Sequence, residues 1–242
     1  MERSVRALAR ILGAGARVLI EAALPVGCAA CGARLVTEGD LPLCADCAAA
    51  AVEAGPAFCL SCARARRAPE ACRRPDHARL RAGFTWNEPL RALVHPFKFG
   101  GAVELAVPLV AAVLDTAAFA AVPRPDAIVP TPLHRVRRRE RGYDQADALA
   151  RAFAGRLDAP VLHGLERVRA TRQQARLDAA ARAGNVAGAF RAVPQAALAG
   201  RRVALVDDVV TTGATATAAM DALRAAGVRS VETWCLAYEP LE

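Results

Sequence analysis

Val203-Ala-Leu-Val-Asp-Asp-Val-Val-Thr-Thr-Gly-Ala-Thr215 is the stretch on which the fold turns. Val203 to Val206 is a short apolar run with the pattern of a buried parallel strand. Asp207 and Asp208 stand at its C-terminal end. Thr211, Thr212, Gly213, Ala214 and Thr215 then form a loop of small residues, and a helix is expected from there to about Ala226, stopping at Gly227. In open α/β sheets, ligands bind beyond the C-terminal ends of the strands. A helix N-terminus at that place offers free N–H groups and a positive dipole end to a phosphate. The threonine hydroxyls add donors, and Gly213 lets the backbone approach closely. The two carboxylates suit ribose hydroxyls, directly or through a hard divalent cation. A phosphate site beside a diol site describes a phosphorylated ribose. Two unpaired acids are otherwise costly at the end of a buried strand.

The rest of the chain sets the scale. Its 242 residues allow one large domain, or a medium domain with a small one, and bury a substantial core. The net charge of +8 permits contact with nucleic acid or phosphorylated small molecules, although arginines also serve as solvated helix faces. Aromatic residues make up only 5%, so stacking platforms for single strands are few. Of the eight cysteines, six form three C-x-x-C pairs, and their place beside an α/β pattern favours metal over disulfides. Cys28 and Cys31, with Cys44 and Cys47, have the spacing of a zinc ribbon closed by four thiolates. Four thiolates leave no open coordination position, so such a zinc is structural. Cys59, Cys62 and Cys72 begin a second unit, but Pro75 stands where its fourth cysteine is expected. Asp76 or His77 supplies the missing ligand, or the second site is empty.

In chain order, residues 3–24 read as an amphipathic helix. Arg10, Arg17 and Glu21 keep its apolar run below the length of a signal sequence or a membrane span, which points to a packing helix in a cytoplasmic protein. Arg79 to Trp86 reads as a strand, and Pro89 opens a helix at its first position. Lys98, just before a glycine pair, either reaches a phosphate across the site or is a surface lysine between two packing phenylalanines. A helix buried nearly all round is expected from Val103 to about Phe119. Asp126 to Pro130 is a strand, and Thr131, Pro132 and Leu133 follow at its C-terminal end. The arginine-rich run from Arg135, including Arg137 and Arg141, suits pyrophosphate, whose oxygens Arg binds in a bidentate way. A helix from Gln145 to Arg156, a strand from Val161 to Leu165 and a last strand from Val228 to Tyr238 complete the pattern. Cys235, in that last strand, reads as a buried core thiol.

These motifs together resemble a known family. The acidic pair and the Thr-Thr-Gly-Ala-Thr loop resemble the loop of type I phosphoribosyltransferases that binds phosphoribosyl pyrophosphate (PRPP). Over roughly residues 25–242 the chain resembles the ComF family, bacterial proteins linked to competence and DNA uptake. Lys98-Phe99 before glycine is one such likeness. Arg141-Gly142-Tyr143-Asp144-Gln145 is another, where relatives usually show Arg-Gly-Phe-Asn-Gln. Thr171, Gln174, Leu177, Arg182 and Asn185 are a third, at the position of the flexible loop that closes over PRPP and excludes water.

The resemblance implies an α/β, type I phosphoribosyltransferase fold, a mostly parallel sheet flanked by helices, with a small N-terminal zinc-ribbon module. The expected units are an N-terminal helix at 1–24, the cysteine module at 25–77 and the phosphoribosyltransferase-like domain at 78–242. Asp207 and Asp208 take the catalytic role. Thr211 to Thr215 hold the 5′-phosphate, and Thr131, Pro132, Leu133, Arg137 and Arg141 hold pyrophosphate, with Mg²⁺ entering alongside PRPP. The implied activity is phosphoribosyl transfer, a pentosyl glycosyltransferase reaction whose acceptor the sequence does not name. A PRPP sensor without catalysis, acting through single-stranded DNA or helicase-type competence proteins, uses the same residues. A third reading, a zinc-ribbon nucleic-acid binder, sits poorly with an intact loop.

Overall fold

The computed structural model describes residues 27–35, 41–60, 79–169 and 188–239. The expected helix over 3–24, Cys62, Cys72 and the polar stretch with Thr171, Gln174, Arg182 and Asn185 lie outside the described residues. Along the chain come α1 (Ala45–Ala49), β1 (Phe58–Cys59), β2 (Arg79–Thr85), α2 (Glu88–Phe99), α3 (Ala106–Leu114) and β3 (Ala127–Pro130). Then follow α4 (Arg135–Arg141), α5 (Gln145–Leu157), β4 (Leu165–Arg167), β5 (Phe190–Ala192), β6 (Arg202–Val210), α6 (Ala214–Ala225) and β7 (Ser230–Tyr238).

Five strands form one sheet in the order β1-β2-β7-β6-β3. The β2–β7, β7–β6 and β6–β3 pairs are parallel, and only the edge pair β1–β2 is antiparallel. This is the expected mostly parallel α/β sheet. β4 and β5 make a separate antiparallel ribbon.

The interior strand β6 shows why both faces are covered. Successive side chains of a strand point to opposite faces. Ala204 and Val206 pack with Leu93, Phe97, Val110, Leu149, Phe153 and Trp234, beneath α2, α3 and α5. Val203 and Leu205 pack with Ala219, Met220 and Leu223 of α6, together with Leu165 and Phe190 of the ribbon. Truncating a buried aromatic such as Phe153 costs about 3–5 kcal/mol, which makes these layers the main support of the site.

Several elements differ from expectation. β6 runs on past Val206 to Val210 because β7 stays beside it, pairing Asp207 with Cys235 and Val210 with Tyr238. The acidic pair therefore sits inside a strand, not after it. The strand expected over Val161 to Leu165 is a single bridge, Ile128 to Val161; the regular strand starts only at Leu165. The Gly164 N–H bonds to Leu162 O at 2.8 Å, a tight turn that carries the chain off the main sheet. The helix expected from Val103 to Phe119 is a 3₁₀ turn, Val103–Leu105, followed by α3, which stops at Leu114. The Thr116 hydroxyl donates to Val113 O at 2.7 Å and closes that end. Val107 is 59% exposed, so α3 is not buried all round. Asn87 caps α2, its Oδ1 accepting from the Leu90 N–H at 3.3 Å, and this puts Pro89 one residue later than expected.

The sheet also crosses the expected boundary between residues 77 and 78. Its edge strand β1 comes from the cysteine-bearing segment. The Ala54 N–H bonds to Gly83 O at 3.0 Å, the Thr85 N–H to Val52 O at 2.8 Å, and Asn87 Nδ2 to Ala50 O at 2.8 Å. Among the described residues no helix is long and apolar enough to cross a membrane.

Candidate functional site

The opening arises from unequal strand lengths. β3 ends at Pro130, opposite Val206, and the Thr131 N–H makes the last bond of that edge, to Val206 O at 2.8 Å. β6 continues for four residues with, among the described residues, a strand neighbour on one side only. Asp207 and Asp208 therefore border an open edge, half-buried. A cavity of ≈ 280 Å³ fills this space.

One wall is the turn into α6. Gly213 has φ 76° and precedes the first helical residue. That left-handed conformation is available to glycine without strain. The Thr212 hydroxyl accepts from the Ala214 N–H at 3.3 Å. Thr211, Thr212, Gly213, Ala214 and Thr215 all line the cavity. Behind the turn lies Leu60, just after β1; a Cβ placed on Gly213 would come within 2.9 Å of its Cδ1. The cysteine-bearing segment thus backs the loop directly.

The opposite wall is Thr131, Pro132 and Leu133, with Arg137 and Arg141 from α4. The Thr131 hydroxyl is buried and has no hydrogen-bond partner among the described residues. Asp144 caps α5, accepting from the Ala146 and Asp147 N–H groups at 3.1 and 3.4 Å. Its second oxygen accepts from the Leu133 N–H at 3.1 Å. In this structure the Leu133 N–H is thus engaged by Asp144. Burial pushes the Asp144 carboxyl above its ordinary value. Arg141 donates to Gln145 Oε1 at 3.0 Å, and its guanidinium lies 4.9 Å from the centre of the Phe99 ring.

Lys98, from the last turn of α2, completes the ring with its Nζ 3.1 Å from Asp208 Oδ2. Arg167, at the end of β4, also lines the cavity, as does Glu239 beyond β7. Burial, and then the nearby Arg137, lower the pKa of Arg167. Burial, reinforced by the charge of Asp208, pushes the Asp207 carboxyl up to about 7. Four cationic side chains and a pair of mutually repelling carboxylates thus share one small space. Chemically, the arrangement suits a ligand with an anionic end and a hydroxyl-bearing or cation-bridged end.

All the sequence-read residues at 131–133, 137, 141, 207–208 and 211–215 border this one cavity. Arg167 and Glu239 were missed. Arg167 falls at the C-terminal end of a strand, the position that flags ligand residues, but the strand had been read two residues too early. Glu239 follows the last strand in the same manner.

The second cluster is the cysteine set. The sulfurs of Cys28, Cys31, Cys44 and Cys47 all lie within 4.8 Å of one another. Gly32, at φ 75°, turns the first knuckle, and Cys44 opens the short helix α1 that carries Cys47. Cys31 Sγ and Cys44 Sγ are 3.7 Å apart. A tetrahedron with Zn–S bonds of about 2.3 Å has edges of about 3.8 Å, so the set fits a zinc ion. Burial would raise the Cys28 thiol, but hydrogen bonds from the Cys44, Cys31 and Ala30 backbone outweigh it and lower it to about 6. Cys47 is pushed up to about 12 by the neighbouring Cys44 and Cys31 thiols. Such a set holds its negative charge together only around a cation. Cys59, assigned to a possible second zinc, is buried with Phe58, Leu80, Ala82, Val210 and Cys235; its proposed partners Cys62 and Cys72 lie outside the described residues.

Residues 141–241 match the phosphoribosyl transferase domain family. Competence protein F of Haemophilus influenzae is 40% identical over 156 residues, covering 62% of this chain and 68% of the relative. DNA utilization protein YhgH of Salmonella typhimurium is 35% identical over 214 residues, covering 86% of this chain and 88% of the relative. Among solved structures, glutamine PRPP amidotransferase from B. subtilis, complexed with ADP and GMP, aligns with 67% of this chain and 29% of its own, at 21% identity and a TM-score of 0.36.

Proposed function

The chain belongs to the ComF family, competence-related proteins with a phosphoribosyltransferase-like domain, and on that premise we propose that its cavity binds PRPP together with Mg²⁺ and supports phosphoribosyl transfer. One observation carries the reading. The acidic pair and the Thr211–Thr215 turn open into the same cavity as Lys98, Arg137, Arg141 and Arg167. The first N–H groups of α6 and the threonine hydroxyls take the 5′-phosphate. Asp207 and Asp208 take the ribose hydroxyls. Arg137, Arg141 and Arg167 take the pyrophosphate, and the unpartnered Thr131 hydroxyl gains an acceptor there. Asp207 and Asp208 would also hold a magnesium ion entering with the ligand, which would supply positive charge against the ligand's phosphates.

In transfer, the bond from C1 to the pyrophosphate oxygen breaks, and the electron pair leaves with pyrophosphate. Positive charge grows on the ribose ring while the adjacent carboxylates stabilise it, and the guanidinium groups hold the leaving anion. A nitrogen of the acceptor then bonds to C1 and loses a proton to solvent. Zinc on Cys28, Cys31, Cys44 and Cys47 is structural and steadies the segment that backs the Thr211–Thr215 turn. The relatives' names, competence protein F and DNA utilization protein, support a role for this chemistry in the handling of DNA. The exposed Arg138 and Arg139 on α4 suit the phosphates of a single strand.

The test is titration calorimetry of PRPP with and without Mg²⁺, repeated on Asp208→Asn. Binding is expected only with Mg²⁺, weakened at least tenfold by the substitution. Equal affinity in wild type and variant would sink the assignment. Pyrophosphate release on adding candidate bases separates transfer from sensing.

A further inference from the structure

The pairing of Lys98 with Asp208 has a use beyond holding a phosphate. The two charges are 3.1 Å apart, with side chains only 22% and 15% exposed. A partly desolvated charge left without its partner is strongly destabilising, so whatever takes Asp208 must also provide for Lys98. The backbone at this lysine is fixed from several sides. The Tyr143 hydroxyl donates to Phe97 O, Gln145 Nε2 donates to Lys98 O at 3.1 Å, and the Gly100 N–H bonds to Pro96 O at 2.8 Å. Phe97 itself is fully buried. Only the four-carbon stem of Lys98 is left to move, and it ends in a compact charge with three rotatable donors.

We propose that Lys98 is a resident counter-cation on Asp208, exchanged when a divalent cation and an anionic ligand enter together. In the free protein its ammonium occupies the place a metal needs on that carboxylate. A divalent cation arriving alone must displace it from its 3.1 Å carboxylate partner and leave it in a cavity already lined by Arg137, Arg141 and Arg167. A cation arriving with a phosphorylated ligand brings the anion with it. Lys98 then swings from Asp208 to a phosphate or pyrophosphate oxygen, and no charge is stranded. The device makes metal and ligand bind as one unit and keeps the acidic pair from collecting metal in the ligand's absence. It deepens the reading of this cavity as a PRPP site and rests on it in its second half only.

The experiment compares wild type with Lys98→Met, which keeps the stem and removes the charge. Two titrations are run: Mn²⁺ alone, followed by the paramagnetic resonance signal of the free ion, and PRPP with Mg²⁺, followed by calorimetry. Thermal melting checks that both proteins fold alike. The expected result is a crossed response. Mn²⁺ alone binds at least tenfold more tightly to the variant, while PRPP with Mg²⁺ binds at least tenfold more weakly. Lys98→Arg, which restores the charge, returns both affinities towards wild type. Unchanged Mn²⁺ binding overturns the exchange, and so does a loss in both titrations, which a merely structural lysine would give. If wild type fails to bind PRPP at all, the ligand assignment falls, while the Mn²⁺ titration still decides whether Lys98 guards Asp208.

Discussion

Gly213→Ala is the substitution whose cost divides most cleanly. Gly213 has φ 76°, and an alanine held in that region costs about 1–2 kcal/mol. The added Cβ would also lie 2.9 Å from Leu60 Cδ1 and 3.0 Å from Cδ2. Leu60 is half-buried and must leave its rotamer to give way, which adds about 1 kcal/mol. The expected total is about 2–3 kcal/mol, and the two contributions separate in a Leu60→Ala background. There the clash is gone, so Gly213→Ala should cost only about 1–2 kcal/mol, leaving a coupling of about 1 kcal/mol between the sites. Urea unfolding followed by circular dichroism measures all four proteins. Equal cost in both backgrounds would show that Leu60 does not press on the turn. No cost in either would remove the strained backbone on which the phosphate site is argued.

The acidic pair gives a pH signature. Asp207, raised from an ordinary 3.8 to about 7 by burial and by Asp208, holds its proton more tightly folded than unfolded. Its contribution to stability is therefore full below pH 4 and is lost as pH rises towards 7, by about 4 kcal/mol at about 1.4 kcal/mol per pH unit. In magnesium-free buffer, Asp207→Asn should flatten the fall in urea stability between pH 4.5 and 8; an unchanged slope would clear Asp207 of the effect. Purified protein should carry at least one equivalent of zinc by elemental analysis, lowered in Cys28→Ser, and a metal-free, well-folded wild type would end the zinc assignment. Asp144→Ala removes the cap of α5 and the acceptor for the Leu133 N–H, so it should cost about 2–4 kcal/mol in urea unfolding. A loss under 1 kcal/mol would mean that water replaces both bonds.

The strand, turn and helix at 203–226 were legible because local signals agreed there. Apolar residues ran together, a glycine stood where φ is positive, and Gly227 marked the stop. The cysteine set was legible from spacing alone, since each knuckle is a local turn. What the sequence hid was decided by distant partners. Nothing near Asp207 says that β7 will pair alongside it and carry the strand to Val210. The ribbon of β4 and β5 was missed because its three-residue strands depend on each other across a separation outside any local window. In the sequence, Asp144 stands only as an acid where relatives usually carry an amide. Its role in capping α5 and holding Leu133 follows from a fold in which residues 133 and 144 meet. Lys98 was left between a phosphate contact and a plain surface residue; its place on Asp208 depends on where α2 ends relative to β6.

The strand order also bears on how a ribosome can deliver this chain. β2 and β3 are never neighbours; each pairs with a strand from the last fifth of the sequence, β2 with β7 and β3 with β6. At about 5–20 residues per second, the whole chain up to β6, which starts at Arg202, emerges before the first parallel ladder can close. Among the described strands of the main sheet, only the antiparallel pair β1–β2 can form until then. Nascent chains of this protein should therefore depend on holding chaperones until synthesis is nearly finished. A stop codon that removes β7 alone would leave β2 without its parallel partner, and so no sheet to join the two halves of the molecule.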